Sequence, residues 1–377
     1  MYVERHVNIA ELLARKSHFL LGPRQTGKTS LIRHQLPGAR VYDLLDSATF
    51  LSLSRTPGRL AEELRGDEEI VVIDEVQRLP ELLNEVHRLI ETRGVRFLLT
   101  GSSARRLRGG GVNLLGGRAR VKYLHPLSAG ELAQHFDLDR AMERGLLASI
   151  YFSDDPAADL DAYAGTYLQQ EIIAEGATRN APAFSRFLRV AALCNATVVN
   201  FTNVANDAQV ARTTVYEYFE ILRDTLIVSE LPAWKRSRRR KPIVSSKYYF
   251  FDTGVTCALQ GRRTLPRGTP EYGFALETWV HHELCSYRDY VRDWEMSYWR
   301  STSGFEVDFL LGDHTALEIK ATENVTANDL KGLRALRQEK VCKRFVCVSL
   351  DPRVRKVDGI DVWPVAHFVS ALWEGEL

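Results

Sequence analysis

One stretch constrains this chain more than any other: FLLGPRQTGKTSLIRHQL, residues 19–36. An apolar run ends in Gly22-Pro23-Arg24-Gln25-Thr26-Gly27-Lys28-Thr29-Ser30, and a helical pattern closed by Pro37 follows. Strand, glycine-bounded turn and helix in that order form a phosphate-binding loop. Its backbone N–H groups curl round phosphate oxygens, and the helix N-terminus adds partial positive charge. Residues 22–30 are the expected nucleotide contacts, with Lys28 reaching the β and γ phosphates and Thr29 offering a hydroxyl to Mg²⁺. ATP and Mg²⁺ are therefore the expected cofactors.

Two more strands extend this pattern. In EEIVVIDEVQRLP, the apolar run Ile70–Ile73 ends in Asp74-Glu75. Asp74 is placed to hold the Mg²⁺ shell, and Glu75 to polarise an attacking water, a pairing that suits hydrolysis better than phosphoryl transfer to a small acceptor. A further buried-type strand in GVRFLLTGSSARRLRGG ends in small polar residues, which places Ser102 near the γ-phosphate or the water. Arginines follow at 105, 106, 108, 118 and 120, and Arg118 is the first candidate for a finger that stabilises transition-state charge. Strand, loop, carboxylate pair and polar third strand in this order resemble an AAA+ type ATPase, which implies a parallel α/β sheet.

At 377 residues the chain exceeds one ordinary core, and three modules are expected: 1–155, 156–245 and 246–377. The segment SDDPAADL supplies the first linker. No apolar run approaches the roughly 18 residues of a membrane span. The N-terminus lacks the basic head, apolar middle and small-residue cleavage site of a signal peptide, so a cytoplasmic location without membrane association is expected. Five cysteines form no C-x-x-C pair and sit among apolar neighbours, as free buried thiols do. The net charge of +2 is nearly balanced, so attraction to nucleic acid must come from local patches.

The middle module supplies such a patch. FTNVANDAQVARTTVYEYFEILRDTLIVSEL reads as helix, turn, helix and strand, an order that resembles a winged helix-turn-helix. Val215, Tyr218, Phe219 and Leu222 fall on its inner face, which leaves Arg212, Thr213, Thr214 and Glu217 outward. WKRSRRRKP then places Lys235, Arg236, Arg238, Arg239, Arg240 and Lys241 where a wing would lie, a composition suited to sequence-independent phosphate contacts. DNA is the expected partner, through Arg212, Thr213 and the six basic residues.

In the last module, GFEVDFLLGDHTALEIKA reads as two strands about a tight turn. Strand alternation puts Glu318 and Lys320 on one face, which Asp308 reaches from the neighbouring strand. Carboxylates sharing a divalent cation beside a lysine that orients water suit phosphodiester hydrolysis. These residues are similar to the PD-(D/E)xK nuclease core, with Val307 in place of the proline often found before the aspartate. Taken whole, the chain resembles prokaryotic AAA-type ATPases with a winged-helix middle and a restriction-endonuclease-like end. That resemblance implies a small helical module between two α/β domains, Glu277 as a helix-borne carboxylate at an Asp308–Glu318–Lys320 site, and Mg²⁺ or Mn²⁺ there. It leaves open a homo-oligomer, and also a nucleotide-controlled switch that binds a protein while the nuclease-like part stays inactive.

Overall fold

The computed structural model describes residues 2–66, 68–103, 105, 115–168, 180–236 and 239–377. The expected contacts at Arg106, Arg108 and Arg238 lie outside the described residues. The chain divides into two compact units, each considered by itself: Met1–Leu127 with Ile221–Ile227, and Ser128–Glu220 with Val228–Leu377.

The first unit is built on five parallel strands, β1 (Ser17–Leu21), β2 (Arg40–Asp43), β3 (Ile70–Asp74), β4 (Arg96–Gly101) and β5 (Ala119–Tyr123). Their order is β2-β3-β4-β1-β5, which puts β1 between β4 and β5. All five residues of β1 are buried, as expected of a strand covered on both faces. Helix α1 (Lys28–Gln35) follows β1, and α2 (Leu82–Arg93) lies between β3 and β4 in the chain. Phe19, Leu21, Val71, Ile73, Phe97 and Leu99 form a core with Leu82, Leu83, Val86 and Leu89 of α2, whose spacing gives an amphipathic helix. Leu226, far along the chain, packs against the same core.

The second unit begins with helices that include α3 (Ala181–Leu193), α4 (Phe201–Ala208) and α5 (Arg212–Asp224), the last of which runs on into the residues of the first unit. Phe184, Phe187, Phe201, Tyr218, Phe219 and Tyr248 form one aromatic cluster among them. An antiparallel pair, β6 (Val228–Leu231) and β7 (Lys247–Phe250), comes next. The long helix α6 (Pro270–Tyr290) opens with a Thr269 cap and Pro270 at its first turn. Strands β8 (Met296–Arg300), β9 (Glu306–Leu311), β10 (Thr315–Lys320), β11 (Arg344–Ser349), β12 (Arg355–Val357) and β13 (Ile360–Pro364) form a mixed sheet in the order β12-β13-β11-β10-β9-β8. Helices α7 (Lys331–Arg337) and α8 (Val365–Trp373) complete the unit.

The sequence suggested boundaries near 155 and 245; the compact units part after 127, 220 and 227. Backbone bonds explain the continuity at 245. The segment between β6 and β7 runs along β8, with Trp234 N–H donating to the Tyr298 carbonyl at 2.7 Å and Ile243 N–H to that of Arg300 at 2.8 Å. Asn195 adds a buried link: its amide donates to Thr278 of α6 at 2.7 Å, and its carbonyl oxygen accepts from Phe250 N–H of β7 at 2.9 Å.

Candidate functional site

In the first unit, the C-terminal ends of β1, β3 and β4 bring together the phosphate loop, Asp74-Glu75 and Ser102. Gly27 caps α1 at φ +93°, a conformation that disfavours any side chain, and a Cβ on Gly22 would lie 2.2 Å from the Leu124 carbonyl oxygen. These two glycines let the loop turn and pass close to neighbouring backbone. Lys28 is buried, and its ammonium donates to the carbonyls of Gly22 at 2.7 Å and Pro23 at 3.1 Å. Thr26 closes the same turn through a 2.9 Å bond to the Pro23 carbonyl, while Gln25, Thr29 and Ser30 are exposed and Arg24 is half-buried.

Thr29 Oγ1 donates to Asp74 Oδ2 at 3.1 Å, and Thr100 donates to the other Asp74 oxygen. Hydroxyl and carboxylate in contact at the start of α1 are the donor set a Mg²⁺–nucleotide complex requires, so the residues present fit ATP with Mg²⁺. Glu75 is buried and sits at φ +60°, ψ +44°, with its N–H donating to Thr100 at 3.2 Å. Burial raises its carboxyl above the usual range, and Lys28 pulls the other way.

Sequence reasoning missed two residues here. Gln77 is buried, and its Nε2 donates to Glu75 Oε2 at 2.5 Å and to Ser102 Oγ at 3.2 Å. A carboxylate only accepts, so the amide must present its nitrogen to Glu75, and Oε1 is left buried without a hydrogen-bond partner. A Cβ on Gly101 would lie 2.5 Å from that Oε1, so the glycine makes room for the amide. The signal was a glutamine two residues beyond the carboxylate pair. Arg5, which carries no motif, donates to the Thr26 carbonyl at 2.7 Å and to that of His125 at 2.7 Å, bracing the loop from the N-terminal segment. Arg118 is not drawn into this cluster: its guanidinium pairs with Glu91 on α2.

In the second unit, Arg212 and Thr213 are exposed at the start of α5, and Arg212 lies over the Tyr216 ring. Lys235, Arg236, Arg239 and Lys241 are also exposed, Arg236 lying 3.7 Å from Asp313. Arg240 differs from them. It bonds the Ala335 carbonyl, Glu339 and Gln338, and lies over the Phe305 ring, so its charge is committed to the fold.

Glu277 on α6 and Asp308 on β9 come together at a residue the sequence reading passed over, Lys247 on β7, while Glu318 and Lys320 on β10 pair with each other. The Lys247 side chain is 2% exposed, and its Nζ lies 2.9 Å from Glu277 Oε1, 2.7 Å from Glu306 Oε1 and 3.5 Å from Asp308 Oδ1. Tyr249 donates to the same Glu277 oxygen at 2.6 Å. Asp308 Oδ2 accepts from Ile319 N–H at 2.8 Å, and Lys320 donates to Glu318 Oε1 at 2.5 Å, whereas Glu318 Oε2 is buried with no hydrogen-bond partner. Burial and the Asp308 charge push Glu277 up to about 7 and hold Glu318 well above the carboxylate range. Burial pulls the Lys247 ammonium down, but Glu277, Tyr249, Asp308 and Glu306 outweigh it, and Lys247 stays above an ordinary lysine. Among the described residues, no three His, Cys, Asp or Glu side chains are arranged to hold a metal ion.

Residues 14–133 match an AAA domain family. Residues 135–265 and 272–368 match two domains of unknown function, DUF8612 and DUF4143, and the first of these runs through position 245. Uncharacterised proteins of Mycobacterium tuberculosis and Mycobacterium bovis are each 29% identical over 339 residues, covering 85% of this chain and 75% of theirs. The Walker-type ATPase Paby2304 of Pyrococcus abyssi is 15% identical with a TM-score of 0.46, over 67% of this chain and 93% of its own. The Orc1 protein of Aeropyrum pernix, solved in complex with DNA, is 15% identical with a TM-score of 0.28, over 69% and 93%. The family match and the parallel sheet make the N-terminal unit an AAA-type P-loop domain with an ATPase-like fold. No described helix is long and apolar enough to cross a membrane.

Proposed function

We propose that this protein is an ATP hydrolase whose nucleotide state governs its hold on DNA. The observation that carries the first half is the meeting of Lys28, the Thr29–Asp74 contact and the Glu75–Gln77–Ser102 chain at the ends of three adjacent parallel strands. Thr29 and Asp74 would hold Mg²⁺, which when bound neutralises phosphate charge. Lys28 exchanges its loop carbonyls for phosphate oxygens, the loop N–H groups orient the phosphates, and Glu75 accepts a proton from water while Gln77 steadies it. Half-buried Arg118, released from Glu91, suits a finger offered to a second copy of the chain.

The DNA half rests on Arg212 and Thr213 at the start of α5 and on exposed Lys235, Arg236, Arg239 and Lys241. Helices α4 and α5 followed by β6 and β7 keep the order of a winged helix, with 232–246 in the place of the wing. In a nucleotide-controlled switch that binds a protein, by contrast, DNA would leave turnover unchanged. The test is phosphate release with and without DNA, alongside ATP affinity by calorimetry. Lys28→Ala should weaken ATP binding by about 10²-fold or more, because the cradle loses the charge that offsets the β and γ phosphates. Equal affinity in parent and variant would contradict the nucleotide site, and a DNA-independent rate the coupling.

A further inference from the structure

We propose that the carboxylate cluster of the second unit is closed by the chain's own cation, Lys247, and is not a divalent-metal centre for cutting nucleic acid. This stands apart from the reading of the nucleotide site. The sequence alone pointed to a cation shared by Glu277, Asp308 and Glu318. The place between the first two is taken: the Lys247 ammonium lies 2.9 Å from Glu277, 2.7 Å from Glu306 and 3.5 Å from Asp308. An ammonium makes three donor contacts in fixed directions, and this one meets three carboxylates from a helix and a strand.

Several other carboxylate oxygens are engaged as well. Tyr249 and Lys247 share one Glu277 oxygen, and the second Asp308 oxygen accepts from Ile319 N–H. Lys320 turns to Glu318 Oε1, and Arg300 lies 3.4 Å from the second Glu306 oxygen. Glu277, Glu306, Asp308 and Glu318 bring four carboxyl groups, and Lys247, Lys320 and Arg300 three cationic side chains. A divalent ion seated among the three ligands would meet an ammonium buried beside it, a like-charge contact that low polarisability makes costly. Among the fully buried oxygens of this described cluster, Glu318 Oε2 is the one without a hydrogen-bond partner, and one oxygen does not make a metal site. The donor set therefore does not fit the ion. Its role is to bind β7, α6 and β9 together.

The test is Mn²⁺ binding to the full-length, nucleotide-free protein, measured by calorimetry and thermal unfolding. Parent and Asp308→Asn should give superimposable Mn²⁺ isotherms, and chelator should leave the parent's Tm unchanged. Lys247→Met vacates the cation's place, so it should gain one equivalent of Mn²⁺ and a metal-dependent rise in Tm, both lost in Lys247→Met with Asp308→Asn. A Mn²⁺ site in the parent that Asp308→Asn loses would overturn the proposal. So would a folded Lys247→Met protein that takes up no Mn²⁺. If Lys247→Met does not fold, the comparison of parent with Asp308→Asn decides by itself. Mn²⁺-dependent DNA cleavage by the parent, abolished in Asp308→Asn, would also overturn it.

Discussion

Glu75 occupies a backbone conformation with φ near +60°, where a side-chain-bearing residue is uncommon, and Gln77 is bonded to the carboxylate so presented. Two outcomes separate the parts these residues play. Glu75→Gln keeps shape and surroundings but loses the proton acceptor, so ATP binding should persist while phosphate release falls by ~10² or more. Gln77→Leu removes a hydrogen bond to a charged group, ~1.5–3 kcal/mol, so turnover should fall roughly 10- to 100-fold at near-parental ATP affinity. Steady-state phosphate release beside calorimetric affinity checks both, and a Gln77→Leu enzyme with parental turnover would deny the steadying role. Glu75 was legible because its place after Asp74 at a strand end is a pattern with a mechanism. Gln77 was not, because a lone glutamine acquires meaning only when β4 brings Ser102 beside it.

At the scale of elements, α6 is held by buried polar bonds that its sequence periodicity does not show. Glu283 is fully buried, accepting from Ala129 N–H at the start of a short helix at 2.8 Å and from Trp373 Nε1 of α8 at 3.0 Å. Burial pushes its carboxyl up to about 8, with nearby Glu131 adding in the same direction. A carboxyl raised in the folded state contributes stability that is present below its ordinary pKa and is lost as pH rises through the folded value. Unfolding free energy should therefore decline between about pH 4.5 and 8, by a few kcal/mol from this group. Glu283→Gln should lower stability by ~1–3 kcal/mol, since an amide cannot accept as two carboxylate oxygens do, and should flatten that decline. Denaturant titrations of parent and variant across this range give the slopes, and equal slopes would refute the assignment. Glu283 was not legible in the sequence, because nothing local tells a buried carboxylate from an exposed one.

For the whole molecule, the segment-by-segment legibility follows from how local each signal is. The phosphate loop, its strand and its helix are contiguous, so they read directly. The six basic residues of 235–241 read as one patch, but packing divides them, since Arg240 is spent on Glu339, Gln338 and Phe305. Lys247 was invisible because its three carboxylates come from α6 and β9, up to 61 residues away in sequence (247 to 308). Replacing Lys235, Arg236, Arg239 and Lys241 by serine while keeping Arg240 should weaken DNA binding alike for all sequences and flatten its salt dependence, with Tm unchanged. Filter-binding curves that overlay the parent's at every salt concentration would remove DNA from this surface. Including Arg240→Ser should additionally lower Tm, because Glu339, whose side chain is fully buried, would lose its ion-pair partner.

The first unit's discontinuity has a consequence for how the chain is made. When residue 127 has left the ribosome the five strands are complete, yet Ile221–Ile227, with Leu226 for the core, are almost a hundred codons away (127 to 221). At ~5–20 residues per second that delay lasts several seconds, during which the nascent sheet has an incomplete apolar cover and its edges can meet other chains. Translation speed between these points should thus set the yield of native protein, and slow codons there should favour aggregation over folding.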